Sequence, residues 1–224
     1  DLLPHGKYRI EETEAPDGYL TDGVKPIDFS ITENGKIVDL TDEAHSIYNQ
    51  IKRGDIEGVK IGTGTHQRLA DVPFRITSKT TGESHVIVTD KNGQFSTSSE
   101  WASHKHNTNA GQTSEDGIWF GTSEPDDRKG ALLYDTYIIE ELRCESNKGF
   151  QLIPPFEIIV SRNNLVIDLG TLTDDYEEEI SIHTTATSKD GEKSVVAGKE
   201  VTIIDTVKLD GLKKGTKYQL KGWQ

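Results

Sequence analysis

The stretch Tyr137-Ile138-Ile139-Glu140-Glu141-Leu142 is a run of β-formers with two carboxylates set into it. A charge inside an apolar strand is costly unless it is paired or neutral. The same pattern occurs earlier as Tyr8-Arg9-Ile10-Glu11-Glu12-Thr13. In both copies an aromatic is followed two positions later by an isoleucine, then by two glutamates. In both, a Gly-aromatic pair lies downstream, Gly18-Tyr19 and Gly149-Phe150. A costly feature present twice in one chain calls for a function.

Outward from these copies the chain reads as short strands separated by turns. After the strand Lys7–Thr13 that holds Glu12, Ile27–Ile31 alternates apolar and polar, Glu33-Asn34-Gly35-Lys36 is a hairpin signal, Lys36–Leu40 returns, and Ser46–Ile51 is a last strand. These strands are too few to close a sandwich, so residues 1–52 are expected to be the C-terminal part of a β domain. Residues 53–176 hold a full set: Gly58–Ile61, Val72–Ile76, Ser84–Thr89, the Glu141 strand, Phe156–Val160, Leu165–Leu169 and Leu172–Tyr176. The set is interrupted by a polar insertion at about 97–130, anchored by Trp101 and Ile118-Trp119-Phe120. A loop of that length is usually functional or an elaborated insertion. After the charge run Glu177-Glu178-Glu179, residues 177–224 begin a third unit, with strands at Ile180–Thr184 and Val201–Val207 and a turn leading into Tyr218–Leu220. Many short strands without a helical pattern predict an all-β chain of tandem Ig-like sandwiches, one complete and two partial.

The bulk numbers narrow the function. Of 224 residues, 33% are hydrophobic, so each core must be economical, and no apolar run reaches the length of a membrane span. The net charge of −13 argues against nucleic acid or an anionic membrane as partner. The single cysteine, Cys144, excludes an intramolecular disulfide framework. The chain begins at Asp1 and has no methionine, as expected of a piece of a longer protein. No Ser-His-Asp set, phosphate loop or metal cluster is visible. His104 and His106 in a polar loop are a weak metal signal. An enzyme acting on an external substrate, or one needing a cofactor, is therefore not expected.

Leu3-Pro4-His5-Gly6-Lys7-Tyr8 through Glu12, Ala15-Pro16 and Gly18-Tyr19 resembles the "E-box" of CnaB-type (SpaA, prealbumin-like) domains of Gram-positive pilins and surface adhesins. The middle unit keeps the Tyr…Glu-Glu core and replaces Ala-Pro-x-Gly-Tyr with Cys144-Glu145-Ser146-Asn147-Lys148-Gly149-Phe150. The third unit, with Thr184-Thr185-Ala186 and Asp205-Thr206-Val207, resembles the start of a VaFE or Thr–Gln ester-bond domain. The resemblance implies prealbumin-like folds, an extracellular, cell-wall-anchored stalk whose signal and anchor lie outside this chain, and autocatalytic isopeptide bonds. It implies Lys60 as amine donor, Glu141 as acid/base and Asp174 as acceptor in the middle domain, with Asp175 an alternative acceptor. In the first domain it implies Glu12 and Asn49, the donor lysine falling upstream of residue 1. In the third it implies Thr184 or Thr185 as ester nucleophile, with Asp205 as helper. The spacings agree between copies: 49 − 12 = 37 positions and 174 − 141 = 33. Lys60 lies between Val59 and Ile61, so alternation turns it to the face they do not occupy; Lys52 reads as a linker charge. Partners are then the neighbouring domains of the same chain, with a host or matrix ligand at the 97–130 insertion as the rival reading.

Overall fold

Four short strands come first in the computed structural model, which describes residues 3–106, 117–177, 180–198, 200–212 and 214–222. They are β1 (Gly6–Ile10), β2 (Tyr19–Leu20), β3 (Ile27–Ile31) and β4 (Gln50–Ile51). β1 pairs antiparallel with β3, which sets Tyr8 opposite Phe29 with their rings stacked at 5.4 Å. β2 pairs antiparallel with β4. Two expected strands differ. Lys36–Leu40 is not a strand: Val38 and Leu40 are half-buried beside Phe29 and Ile31 while Ile37 is 88% exposed, but among the described residues the segment joins no β ladder. Ser46–Ile51 shortens to β4, preceded by a 3-10 turn over Glu43–His45 that Asp42 caps.

Among the described residues nine strands build the middle of the chain: β5 (Arg53–Gly62), β6 (Pro73–Ser78), β7 (Ser84–Val88), β8 (Gln94–Ser96), β9 (Leu132–Leu133), β10 (Asp135–Glu141), β11 (Phe150–Gln151), β12 (Phe156–Val160) and β13 (Leu165–Tyr176). One sheet has the order β12-β10-β6-β7 and is antiparallel throughout. The other has the order β11-β13-β5-β8, with β9 also on β5. Inward residues of both sheets share one core: Ile56 and Phe95 from the second meet Phe74, Ile76, Tyr137 and Ile139 from the first. The Phe74 and Phe95 rings stack across the two layers at 5.0 Å. This is an all-β sandwich, and its first and last strands, β5 and β13, lie side by side and parallel.

The strands expected at 165–169 and 172–176 are one strand with a bulge between Asp168 and Thr171. Gly170 takes the positive φ of 64° that the bulge needs. The extra residue reverses the alternation. Leu165, Ile167 and Leu169 lean to the core before it, Leu172 and Asp174 after it.

The insertion is tied into the sandwich, although residues 107–116 of it lie outside the described residues. Ile118, Trp119 and Phe120 are buried. The Arg53 guanidinium lies 3.7 Å from the centre of the Trp119 ring and donates to the carbonyls of Phe120, Gly130 and Ala131. Burial pushes that guanidinium down to about 10. Asp55 accepts from Thr97 Oγ1 and the Ala131 amide.

Residues 1–175 pack as one compact unit and residues 176–224 as a second. Within the second unit, β14 (Ser181–Ser188) and β15 (Ile203–Asp210) form an antiparallel pair. Glu178 and Glu179 of the expected charge run lie outside the described residues, and Tyr218–Leu220 is not in a strand. Among the described residues no helix is long and apolar enough to cross a membrane.

Candidate functional site

The parallel neighbours β5 and β13 bring their far ends together over β10. On β5, Ile56, Gly58, Lys60 and Gly62 face inward, so the face Val59 and Ile61 leave to Lys60 is the core. The Lys60 backbone is fixed on both sides: its N–H donates to Gly93 O and its carbonyl accepts from Leu69 N. Gly93 has φ of 69°, and a Cβ there would lie 2.5 Å from Lys60 O, so only glycine fits this turn. On β10, Tyr137, Ile139 and Glu141 share the inward face. Glu140 points the other way and pairs with Arg75 at 3.0 Å.

Lys60 Nζ contacts Asp174 Oδ1 and lies 3.3 Å from Glu141 Oε2. All three side chains are 0% exposed. One ammonium thus sits between two carboxyl groups in a dry site. Glu141 Oε1 accepts from Asn147 Nδ2 at 2.9 Å, and Oε2 accepts from the Ile153 amide at 3.1 Å. Asp174 Oδ2 is buried without a hydrogen-bond partner. Burial pushes the Asp174 carboxyl up to about 6, with Lys60 opposing the rise and Glu141 adding to it. Asp175 is exposed. Lys52 lies 5.8 Å from the Tyr134 ring centre, away from this cluster.

Phe150 closes the site over Gly62. A Cβ on Gly62 would lie 2.7 Å from the Phe150 ring, so even one methyl has to displace it. Gly62→Ala is expected to destabilise the middle domain by about 1–3 kcal/mol in urea unfolding, an overpacking effect. An unchanged midpoint would contradict the close packing of this lid.

The first copy of the motif brings Glu12 to Asn49: Asn49 Nδ2 donates to Glu12 Oε2 at 2.6 Å and to Leu20 O at 3.3 Å. In the second unit Thr184 pairs with Val207, and Asp205 with Ala186. Cross-strand partners share a face, so Thr184 and Asp205 are diagonal neighbours on one face and Thr185 lies on the other. His104 is buried beside Trp119, and His106 is exposed.

Its two ends match two known domain families. Residues 1–44 match the model of the SpaA prealbumin-like fold domain, and residues 180–223 match that of the T-Q ester bond containing domain. Glu12 falls in the prealbumin-like match; Thr184 and Asp205 fall in the T-Q match. No curated protein matches the chain in sequence. Among solved structures, the Bacillus anthracis TIE protein aligns at 16% identity over 92% of this chain and 35% of its own, with a TM-score of 0.49. A streptococcal ancillary pilin aligns at 19% identity over 79% of this chain and 44% of its own, with a TM-score of 0.35. The major pilin subunit of Bacillus cereus aligns at 17% identity over 61% of this chain and 36% of its own, with a TM-score of 0.34. The chain thus spans less than half the length of each.

The sequence drew attention to Lys60, Glu141 and Asp174 and passed over Asn147, Ile153 and Arg53. Asn147 and Ile153 lie in a loop and act through an amide group and a backbone N–H, which carry no periodic signal. Arg53 opens a strand, where a charge ordinarily reads as solvated.

Proposed function

We propose that the chain is a stalk segment of a cell-surface adhesin or pilin-like protein, hardened by an autocatalytic isopeptide bond between Lys60 and Asp174. The observation that supports this most is the fully buried contact of Lys60, on the first strand of the sandwich, with Asp174, on its last, beside Glu141 of β10. On this reading the chain is divided at 52/53 and 176/177 into part of a prealbumin-like domain, a complete one, and the start of an ester-bond domain.

The chemistry balances with these three groups. The Glu141 carboxylate takes one proton from the Lys60 ammonium. The resulting amine attacks Cγ of the protonated Asp174 carboxyl, forming the C–N bond. Glu141 returns its proton to one Asp174 oxygen, which leaves as water, and takes the second proton from nitrogen. The products are an amide, one water and a protonated, uncharged Glu141. The contact geometry supplies the proximity that such a reaction requires. It runs once, so it is maturation rather than turnover.

The bond would close a loop of 114 positions. By analogy with a disulfide loop of that size it stabilises the fold by roughly 4–5 kcal/mol, and an amide is not reducible. Tension entering at β5 would cross from Lys60 to Asp174 and leave at Tyr176, bypassing the strands between. That suits a stalk with a single cysteine. Intact mass tests the reading: the wild type is expected one water lighter than its sequence, and Glu141→Ala at full mass. A folded wild type at full mass would rule out the bond.

A further inference from the structure

Asn147 lies six positions beyond Glu141, in the segment that replaces Ala-Pro-x-Gly-Tyr of the first copy, and is 0% exposed. Its amide nitrogen donates to Glu141 Oε1 and to Leu142 O, each at 2.9 Å, and its side-chain oxygen accepts from Cys144 N at 2.8 Å. The loop that carries it is tied down by Arg143, whose guanidinium donates to the carbonyls of Asn147 and Phe150. We propose that Asn147 is the positioning residue of the Lys60–Asp174 reaction, holding the Glu141 carboxyl group with Oε2 turned to Lys60 Nζ. The proposal rests on the cross-linking reading above and adds a residue to it.

The two oxygens of Glu141 are held differently. Oε1 is taken by Asn147. Oε2 accepts from the Ile153 amide and faces Lys60 Nζ at 3.3 Å. Pinning Oε1 fixes the rotation of the carboxyl group and so the aim of Oε2. A hydrogen bond donated to a carboxylate also favours its charged form. Two carboxyls meet at one ammonium, and the reaction needs them in opposite states: one ionised to accept a proton, one protonated so that its oxygen can leave. Asn147 and the Ile153 backbone donate to Glu141, whereas Asp174 Oδ1 takes the Lys60 Nζ contact. Asp174 Oδ2 is buried without a donor, and burial, with the adjoining Glu141 carboxyl adding to it, pushes Asp174 up against the opposing Lys60 contact. The surroundings therefore divide the roles, Glu141 as base and Asp174 as the acid that loses water.

A purely structural Asn147 would cap the loop through Cys144 N and Leu142 O and leave the reaction alone. Asn147→Asp separates the roles, because it keeps an oxygen for Cys144 N and replaces the amide donor to Glu141 with an acceptor. Wild type, Asn147→Asp, Asn147→Ala and Asn147→Gln are made by cell-free synthesis. Intact mass is then followed in time, at several pH values, on the folded fraction from gel filtration. The Asp and Ala variants are expected to lose water about tenfold more slowly or worse, the effect of one hydrogen bond to a charged group. Asn147→Gln, which keeps an amide donor, recovers part of the rate. A folded Ala variant with the wild-type rate overturns the assignment and leaves the cross-link standing. So does a Gln variant no faster than the Asp one. A wild type that never loses water overturns the cross-link, and the assignment with it.

Discussion

Lys60→Met is expected to give a chain at the full mass of its sequence, less stable than the wild type by roughly 4–5 kcal/mol from the lost cross-link alone. It also leaves Glu141 and Asp174 facing each other in a dry site with no cation between them, which adds to the loss. The sign of its pH dependence follows from Asp174. An ordinary aspartate ionises near 3.8, and burial pushes Asp174 up to about 6 even with Lys60 opposing the rise. Between those values the folded chain binds more protons than the unfolded one, so stability falls as pH rises through the window. Lys60→Met is therefore expected to be more stable near pH 4 than near pH 7, by roughly 3 kcal/mol from this group. On the proposed cross-link Asp174 of the wild type would be an amide that does not titrate, so its curve is expected to lack this slope. Urea unfolding of both proteins at the two pH values measures the difference. A wild type with the same slope as the variant would mean that Asp174 is still a free acid.

Arg53→Ala carries the second large effect. It removes the donors to the carbonyls of Phe120, Gly130 and Ala131, together with the guanidinium that covers Trp119. Breaking a buried charged network from one side costs roughly 3–5 kcal/mol, because the partners stay buried and unpaired. The urea midpoint should fall accordingly, and Trp119 fluorescence should shift toward that of a wetter indole. A loss within about 0.5 kcal/mol, as at an ordinary surface site, would contradict the anchoring role. Because Ile118 and Phe120 belong to the core, excising all of 97–130 would open the sandwich and could not isolate a binding function.

What could be read beforehand follows from where the physical signal lies. Glu141 was legible because a carboxylate in an apolar strand is costly and because Glu12 repeats it. Lys60 was half legible: alternation separated it from Val59 and Ile61, but only the folded sheet identifies its face as the core. The choice between Asp174 and Asp175 turns on the bulge at Gly170. Counting by twos from Leu165 and Ile167 predicts that Asp174 points outward; the extra residue reverses the parity and turns it in. A bulge of this kind depends on the partner strand β5 as much as on local residues. Lys36–Leu40 shows the opposite error, where alternation and an Asn-Gly turn suggested a strand: Val38 and Leu40 are half-buried, but the backbone joins no ladder among the described residues. Asn147 and Arg53 act through amide and guanidinium groups on backbone far away in sequence, and local pattern does not report such contacts.

The most direct test is a peptide map of the folded wild type. Protease digestion followed by tandem mass spectrometry is expected to yield one branched peptide, with the segment around Lys60 joined to the segment around Asp174 and one water missing at the junction. Recovery of both segments only as separate linear peptides of full mass would contradict the account.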